Sequence, residues 1–201
     1  MKSRQQVLSE FRSAEILNAA RIVFARQGFE RGMIEDIARQ AGIAKGTVYL
    51  YFRSKAEIYK ALLVHDMKEL KRETMQRINA APTLREKLYA FALTRMEHAH
   101  VRREFFRVMD SEQRNLSMTR SQYRDFLYEP VQCLTTAIAE AAEKGEIRAL
   151  PAEKVAWMLA NAVRGEIQRR LLGASESSIA EDAVFLTEFF LSALTCDSGA
   201  Q

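Results

Sequence analysis

The stretch Ile37-Ala38-Arg39-Gln40-Ala41-Gly42-Ile43-Ala44-Lys45-Gly46-Thr47-Val48-Tyr49 decides how this chain is read. It has two short helical patterns with a glycine between them. The small side chain of Ala38 lets two helices cross closely. Gly42 can supply the positive φ that a tight turn between them requires. Ile37, Ala41, Ile43 and Val48 fall where they would close a small shared core. Lys45, Gly46, Thr47 and Tyr49 are then left outward on the second helix. In a DNA-binding helix-turn-helix that second helix enters the major groove with its N-terminal residues at the base edges. An ordinary helical corner also satisfies Ala-x3-Gly, so the residues on either side must decide.

Working outward, every long segment reads as helix. Ile16, Ala20, Val23 and Phe24 form an amphipathic stripe within a helix over about 10–27, and Gly28 is placed to end it. Short helices over about 34–40 and 44–52 follow. Ser54 is an N-cap for a long helix to about residue 80, which Pro82 stops. Thr83-Leu84-Arg85-Glu86 is a capping-box pattern opening a helix to about residue 100. Further helices are expected over about 102–115, 122–144, 151–173 and 178–194, with Pro130 kinking or restarting one of them. The expectation is therefore an all-α chain of about nine helices. A head at 1–53 carries the helix-turn-helix, and a larger helical domain spans 54–201. Only eight Gly and three Pro occur in 201 residues, which argues against a turn-rich β fold and a long flexible linker.

The net charge is only +4. Residues 1–60, however, hold eleven basic and six acidic side chains, so the remainder is almost neutral. A local basic patch of this kind is a footprint for phosphates, although a solvated basic face has the same composition. No apolar run approaches the roughly 18 residues of a membrane span, and Met1–Val7 lacks the apolar core of a signal peptide. A cytoplasmic protein without a membrane partner is expected. Cys133 and Cys196 are far apart and form no CxxC pair. His98 and His100 alternate along a helix and do not share a face, so no metal site is expected. Glu112, Asp110 and His98 are titratable but have no nucleophile, metal or phosphate loop beside them. No catalytic residue and no cofactor is assigned.

The flanking residues carry a further signal. Ile16-Leu17-Asn18-Ala19-Ala20-Arg21-Ile22-Val23-Phe24-Ala25-Arg26-Gln27-Gly28-Phe29 precedes the motif, and Val48-Tyr49-Leu50-Tyr51-Phe52-Arg53-Ser54-Lys55 follows it. Together these segments resemble the TetR family of transcriptional regulators, in detail over about residues 13–63. The resemblance implies a homodimeric repressor with two-fold symmetry, a pseudo-palindromic double-stranded DNA operator and release by a small-molecule effector. It implies that Lys45, Gly46 and Tyr49 face the groove, while Thr47, Tyr51 and Lys55 hold phosphates. The chemistry agrees: Lys can donate to guanine O6/N7 or to phosphate, and hydroxyls reach phosphate oxygens. Two departures stand out. The family usually has Thr or Ser near positions 32–33 and Ser opening the recognition helix, where this chain has Gly32-Met33 and Ala44. Loss of those caps motivates a second reading, a helical ligand-binding or protein-interaction module whose DNA head has decayed.

In the larger domain, Trp157, Asn161, Arg164 and Gln168 share one helical stripe. With Phe105, Met109, Tyr123 and Phe126 in the central helices, Trp157, Asn161 and Arg164 are candidates for lining an effector pocket. A wet interface or plain core would use the same residue types. The last helix is apolar almost all round and needs two packing surfaces. Val184, Phe185, Phe189 and Leu191 are the expected dimer contacts.

Overall fold

The computed structural model describes residues 3–103 and 120–195, with the side chains of 120–126 left aside. Eight helices occur among the described residues: α1 (Arg4–Arg31), α2 (Ile34–Gln40), α3 (Lys45–Tyr51), α4 (Lys55–Ala80), α5 (Leu84–Val101), α6 (Arg120–Glu143), α7 (Ala152–Leu171) and α8 (Ile179–Leu194). No strand occurs among them. The helix expected over 102–115 lies almost wholly outside the described residues. No helix among them is long and apolar enough to cross a membrane.

The chain divides into two compact units, Met1–Met67 and Lys68–Gln201, with the division inside α4. In the first unit α1 packs on α2 and α2 on α3. Its core is built from Ile16, Ala20, Val23, Phe24, Ile37 and Val48, joined by Ile58, Tyr59 and Leu62 from the start of α4. The rings of Phe24, Phe29 and Tyr59 meet pairwise, with centroids 4.7–5.7 Å apart. Arg21 of α1 forms an ion pair with the buried Asp66 of α4. This contact and the α4 core residues explain why the compact unit reaches Met67.

In the second unit α5 packs on α6, α7 and α8, and α7 packs on α6 and α8. Phe91, Leu88, Met96, Leu134, Ile138, Leu159 and Val163 form its centre. Local chemistry sets the helix starts. Thr83 with Glu86 and Ser178 with Glu181 make complete capping boxes, which satisfy otherwise orphaned N–H groups. Ser54 Oγ accepts from the Glu57 N–H at 3.1 Å, so the expected cap on α4 is present. Pro130 is buried within α6, which continues through it. The α7–α8 connection is tied by charge. Arg170 donates to Ser177 O at 2.6 Å and pairs with Asp182, whose other oxygen accepts from Ser177 Oγ at 2.5 Å. Burial pushes the Asp182 carboxyl up, but hydrogen bonds from Ser177 and Arg170 outweigh it and leave it below its ordinary value.

Candidate nucleic-acid interface

The turn between α2 and α3 is built by backbone geometry at Gly42. Its φ is +66°, in the left-handed region where a Cβ is unfavourable. The Ile43 N–H donates to Ala38 O at 3.0 Å and the Gly42 N–H to Arg39 O at 3.2 Å. These are the paired bonds of a Schellman motif, and they end α2 abruptly. Ile37, Ala38 and Val48 are buried at the crossing, while Ala41 and Ile43 are half-buried. The expected small core therefore forms, with Ile34 added to it.

Burial of Val48 orients α3. At about 100° per residue, the direction opposite Val48 lies between Gly46 and Leu50. Lys45 and Tyr49 flank that direction on one side, Thr47 and Tyr51 on the other. Exposure follows this geometry: Leu50 is 82% exposed and Tyr49 45%, Lys45 and Gly46 are exposed, and Thr47 and Tyr51 are half-buried. The sequence reading passed over Leu50, because an apolar residue in an apolar run reads as core. Its place just over half a turn from Val48 could have revealed it. In a major groove an apolar side chain of this kind meets thymine methyl groups. Gly46 has no heavy atom within 4 Å of where a Cβ would stand, so α3 is open to close approach there.

The two lysines predicted to contact DNA, Lys45 and Lys55, have protein partners. Lys45 forms an ion pair with Glu35 of α2, and its ammonium lies 5.8 Å from the Tyr49 ring centroid. Their mutual hydrogen bond raises the Lys45 pKa and lowers that of Glu35. Lys55, in the first turn of α4, donates to Phe29 O at 2.8 Å and Glu30 O at 2.9 Å. It also sits 4.6 Å from the Phe29 ring centroid. Two of its three N–H donors are thus used inside the head, leaving one to reach a phosphate.

The missing caps have a structural reason at one position. A Cβ on Gly32 would stand 2.9 Å from Phe24 Cδ1 and 3.1 Å from Gly28 O. Thr or Ser cannot enter there unless the Phe24 ring moves. Gly28 itself has φ +76° and ψ 166°, a region open essentially to glycine alone. It breaks α1 and turns residues 29–32 onto Phe24. Met33 and Ala44 are the N-caps of α2 and α3, and neither makes a side-chain capping bond. Both helices form nonetheless, held by their buried faces.

The larger unit places its candidates differently. Trp157 is half-buried and packs against the core, while Asn161 and Arg164 are on the exposed side of α7. Phe105 and Met109 lie outside the described residues, as do the side chains of Tyr123 and Phe126. A cavity of about 360 Å³ opens between α4, α5 and the start of α8, lined by Glu73, Thr94, Glu97, His98, Arg102 and Ile179 among others. Among the described candidates, Trp157, Asn161 and Arg164 do not border it. On α8, Val184 is 44%, Phe185 68% and Phe189 60% exposed, and the two phenyl rings stack at 6.3 Å. Leu191 is half-buried against the core.

Residues 16–62 match the family model described as "Bacterial regulatory proteins, tetR family". The chain is 29% identical over 139 residues to the fatty acid metabolism regulator protein of Bacillus subtilis, covering 67% of this chain and 70% of that one. It is 28% identical over 167 residues to the transcriptional regulator TtgR of Pseudomonas putida, covering 79% of this chain and 80% of that one. Its fold matches the crystal structure of the transcriptional regulator FadR from Bacillus subtilis in complex with stearoyl-CoA. That match has a TM-score of 0.71 at 23% identity, over 89% of this chain and 97% of that one. The helix-turn-helix geometry, the match over 16–62 and these relatives converge: residues 16–62 carry the DNA-binding domain of the tetR family, and the chain is a DNA-binding transcriptional regulator.

Proposed function

We propose that this regulator is a homodimeric repressor working in the cytoplasm, released from a pseudo-palindromic operator by a small-molecule effector. The observation that carries the DNA reading is the outward face of α3, where Lys45, Gly46, Tyr49 and Leu50 surround a direction set by the buried Val48. Gly46 admits the helix backbone, Lys45 and Tyr49 meet base edges, and Thr47, Tyr51 and the remaining donor of Lys55 hold phosphates. These residues lie within 1–53 but for Lys55, while the effector and dimer surfaces belong to 54–201. Phe185, Phe189 and Val184 supply the surface for a second copy. A two-fold dimer then pairs two recognition helices with two half-sites.

Release requires an effector that binds the DNA-free arrangement better than the DNA-bound one, since equal affinity for both shifts nothing. The class to test first is a long-chain acyl-CoA. A relative is named a fatty acid metabolism regulator, and a fold neighbour was solved with stearoyl-CoA.

Footprinting of purified protein on genomic DNA tests the reading. Protected sites should be inverted repeats, and stearoyl-CoA should abolish protection. Binding without sequence preference would refute the regulator proposed here. Protection unaffected by acyl-CoA but lost with another small molecule would replace the effector class alone.

A further inference from the structure

Glu35 is an anomaly on a DNA-facing surface. Phosphates and the guanine major-groove edge are acceptors, and a carboxylate repels both. Yet it is exposed, stands in the first turn of α2 and holds the ammonium of Lys45, the first residue of α3. Lys45 and Glu35 are about equally exposed, with 50% and 49% of their side-chain surface open, so both are free to meet a ligand together.

The pair presents a hydrogen-bond donor beside an acceptor. A base pair offers the complementary feature where the acceptor of one base lies beside the amine of the other. In G·C, guanine O6 and N7 are two adjacent acceptors, followed by the cytosine N4 amine. Lys45 can satisfy the two acceptors while Glu35 accepts from the amine. In T·A, thymine O4 stands beside the adenine N6 amine, but adenine N7 then faces the carboxylate and the thymine methyl faces the ammonium. In the reversed orientation, C·G, each charge meets its like.

Resting on the reading of α3 as the recognition helix, we propose that Glu35 is a specificity-determining residue that, with Lys45, reads one G·C pair in each operator half-site. Its charge also opposes binding to any other sequence, because an unsatisfied carboxylate is brought against the phosphates. Glu35 thus trades overall affinity for discrimination, a use of repulsion in recognition.

The test is a selection of duplexes from a randomised library by the full-length wild type, Glu35→Gln and Lys45→Gln, followed by titration of each protein on one fixed unrelated duplex over a salt series. Wild type should select a G·C pair at a fixed place in each half-site, and both variants should lose that preference. Glu35→Gln should bind the unrelated duplex more tightly, with a log–log salt slope steeper by about 0.9 per subunit. That difference in slope corresponds to about eightfold per subunit for each tenfold change in salt. A packing role for Glu35 would not steepen the salt slope, and an unchanged melting temperature confirms that the variant is folded. An unchanged slope, or retention of the G·C preference by Glu35→Gln, overturns the proposal while leaving the regulator reading intact. Failure of wild type to select any sequence overturns both.

Discussion

Lys55 offers a sharp test of how the head is held together. Its ammonium closes the carbonyl end of α1 through bonds of 2.8 Å to Phe29 O and 2.9 Å to Glu30 O, with the Phe29 ring at 4.6 Å. Carbonyls at a helix C-terminus carry partial negative charge, so a cation is favoured there. Lys55→Met keeps most of the aliphatic stem and removes the charge. Glu30 is exposed and Phe29 half-buried, so water can reclaim both carbonyls and each lost bond costs about 1 kcal/mol. The ring contact, at a half-exposed site, adds about 0.5 kcal/mol. The sum, about 2.5 kcal/mol, makes global opening of the head roughly 70-fold more populated. Fluorescence of the single Trp is the wrong probe, because Trp157 lies in the larger unit. Amide hydrogen exchange of peptides spanning 16–62 is the right one. The slowest exchange in α1 and α3 should quicken roughly 70-fold, with peptides of α7 and α8 unchanged. Unchanged exchange in the head would refute the clamp. A salt series on DNA measures the phosphate role separately: loss of a phosphate contact lowers the slope by about 0.9 per subunit.

Three other outcomes follow from the same geometry. Gly32→Ser should destabilise the head by about 1–3 kcal/mol through the clash with Phe24, so restoring the family's usual residue here weakens the protein; head-peptide exchange checks it. Asp182 titrates below its ordinary value, so its contribution to stability is complete at neutral pH and is lost as pH falls through the folded-state value, below about pH 4. Urea midpoints read by Trp157 should therefore fall with acidification more steeply in wild type than in Asp182→Asn, and parallel curves would contradict the assignment. Replacing Phe185 and Phe189 together by Asp should convert the proposed dimer to monomer in sedimentation analysis while leaving helicity intact, since both rings are exposed within one chain.

The sequence by itself determined the helix-turn-helix and most helix starts. Those features are local: a glycine between two short apolar patterns, and Ser or Thr three residues before Glu, make their bonds within a single turn. Gly42, Thr83 and Ser178 are found doing what their neighbours in sequence imply. The apolar girth of α8 predicts a second packing surface, and Phe185 and Phe189 are exposed within one chain.

Tertiary structure alone decided what depends on residues distant in sequence. Nothing near Lys55 in the chain shows that its ammonium binds the end of α1, 25 residues away. Nothing near Lys45 shows that it meets Glu35, because the turn at Gly42 sets which side of α2 faces α3. Leu50 had no assigned role in the sequence, and only the burial of Val48, which fixes the rotation of α3, shows it to be exposed. The stripe of Trp157, Asn161 and Arg164 read as a possible pocket wall, but helical spacing does not say whether a polar face meets a cavity or solvent. Packing leaves Asn161 and Arg164 exposed, and a cavity among the described residues lies beside Thr94 and His98. Gly32 looked like a missing cap, and only the Phe24 ring standing over it gives the physical reason: there is no room for a Cβ.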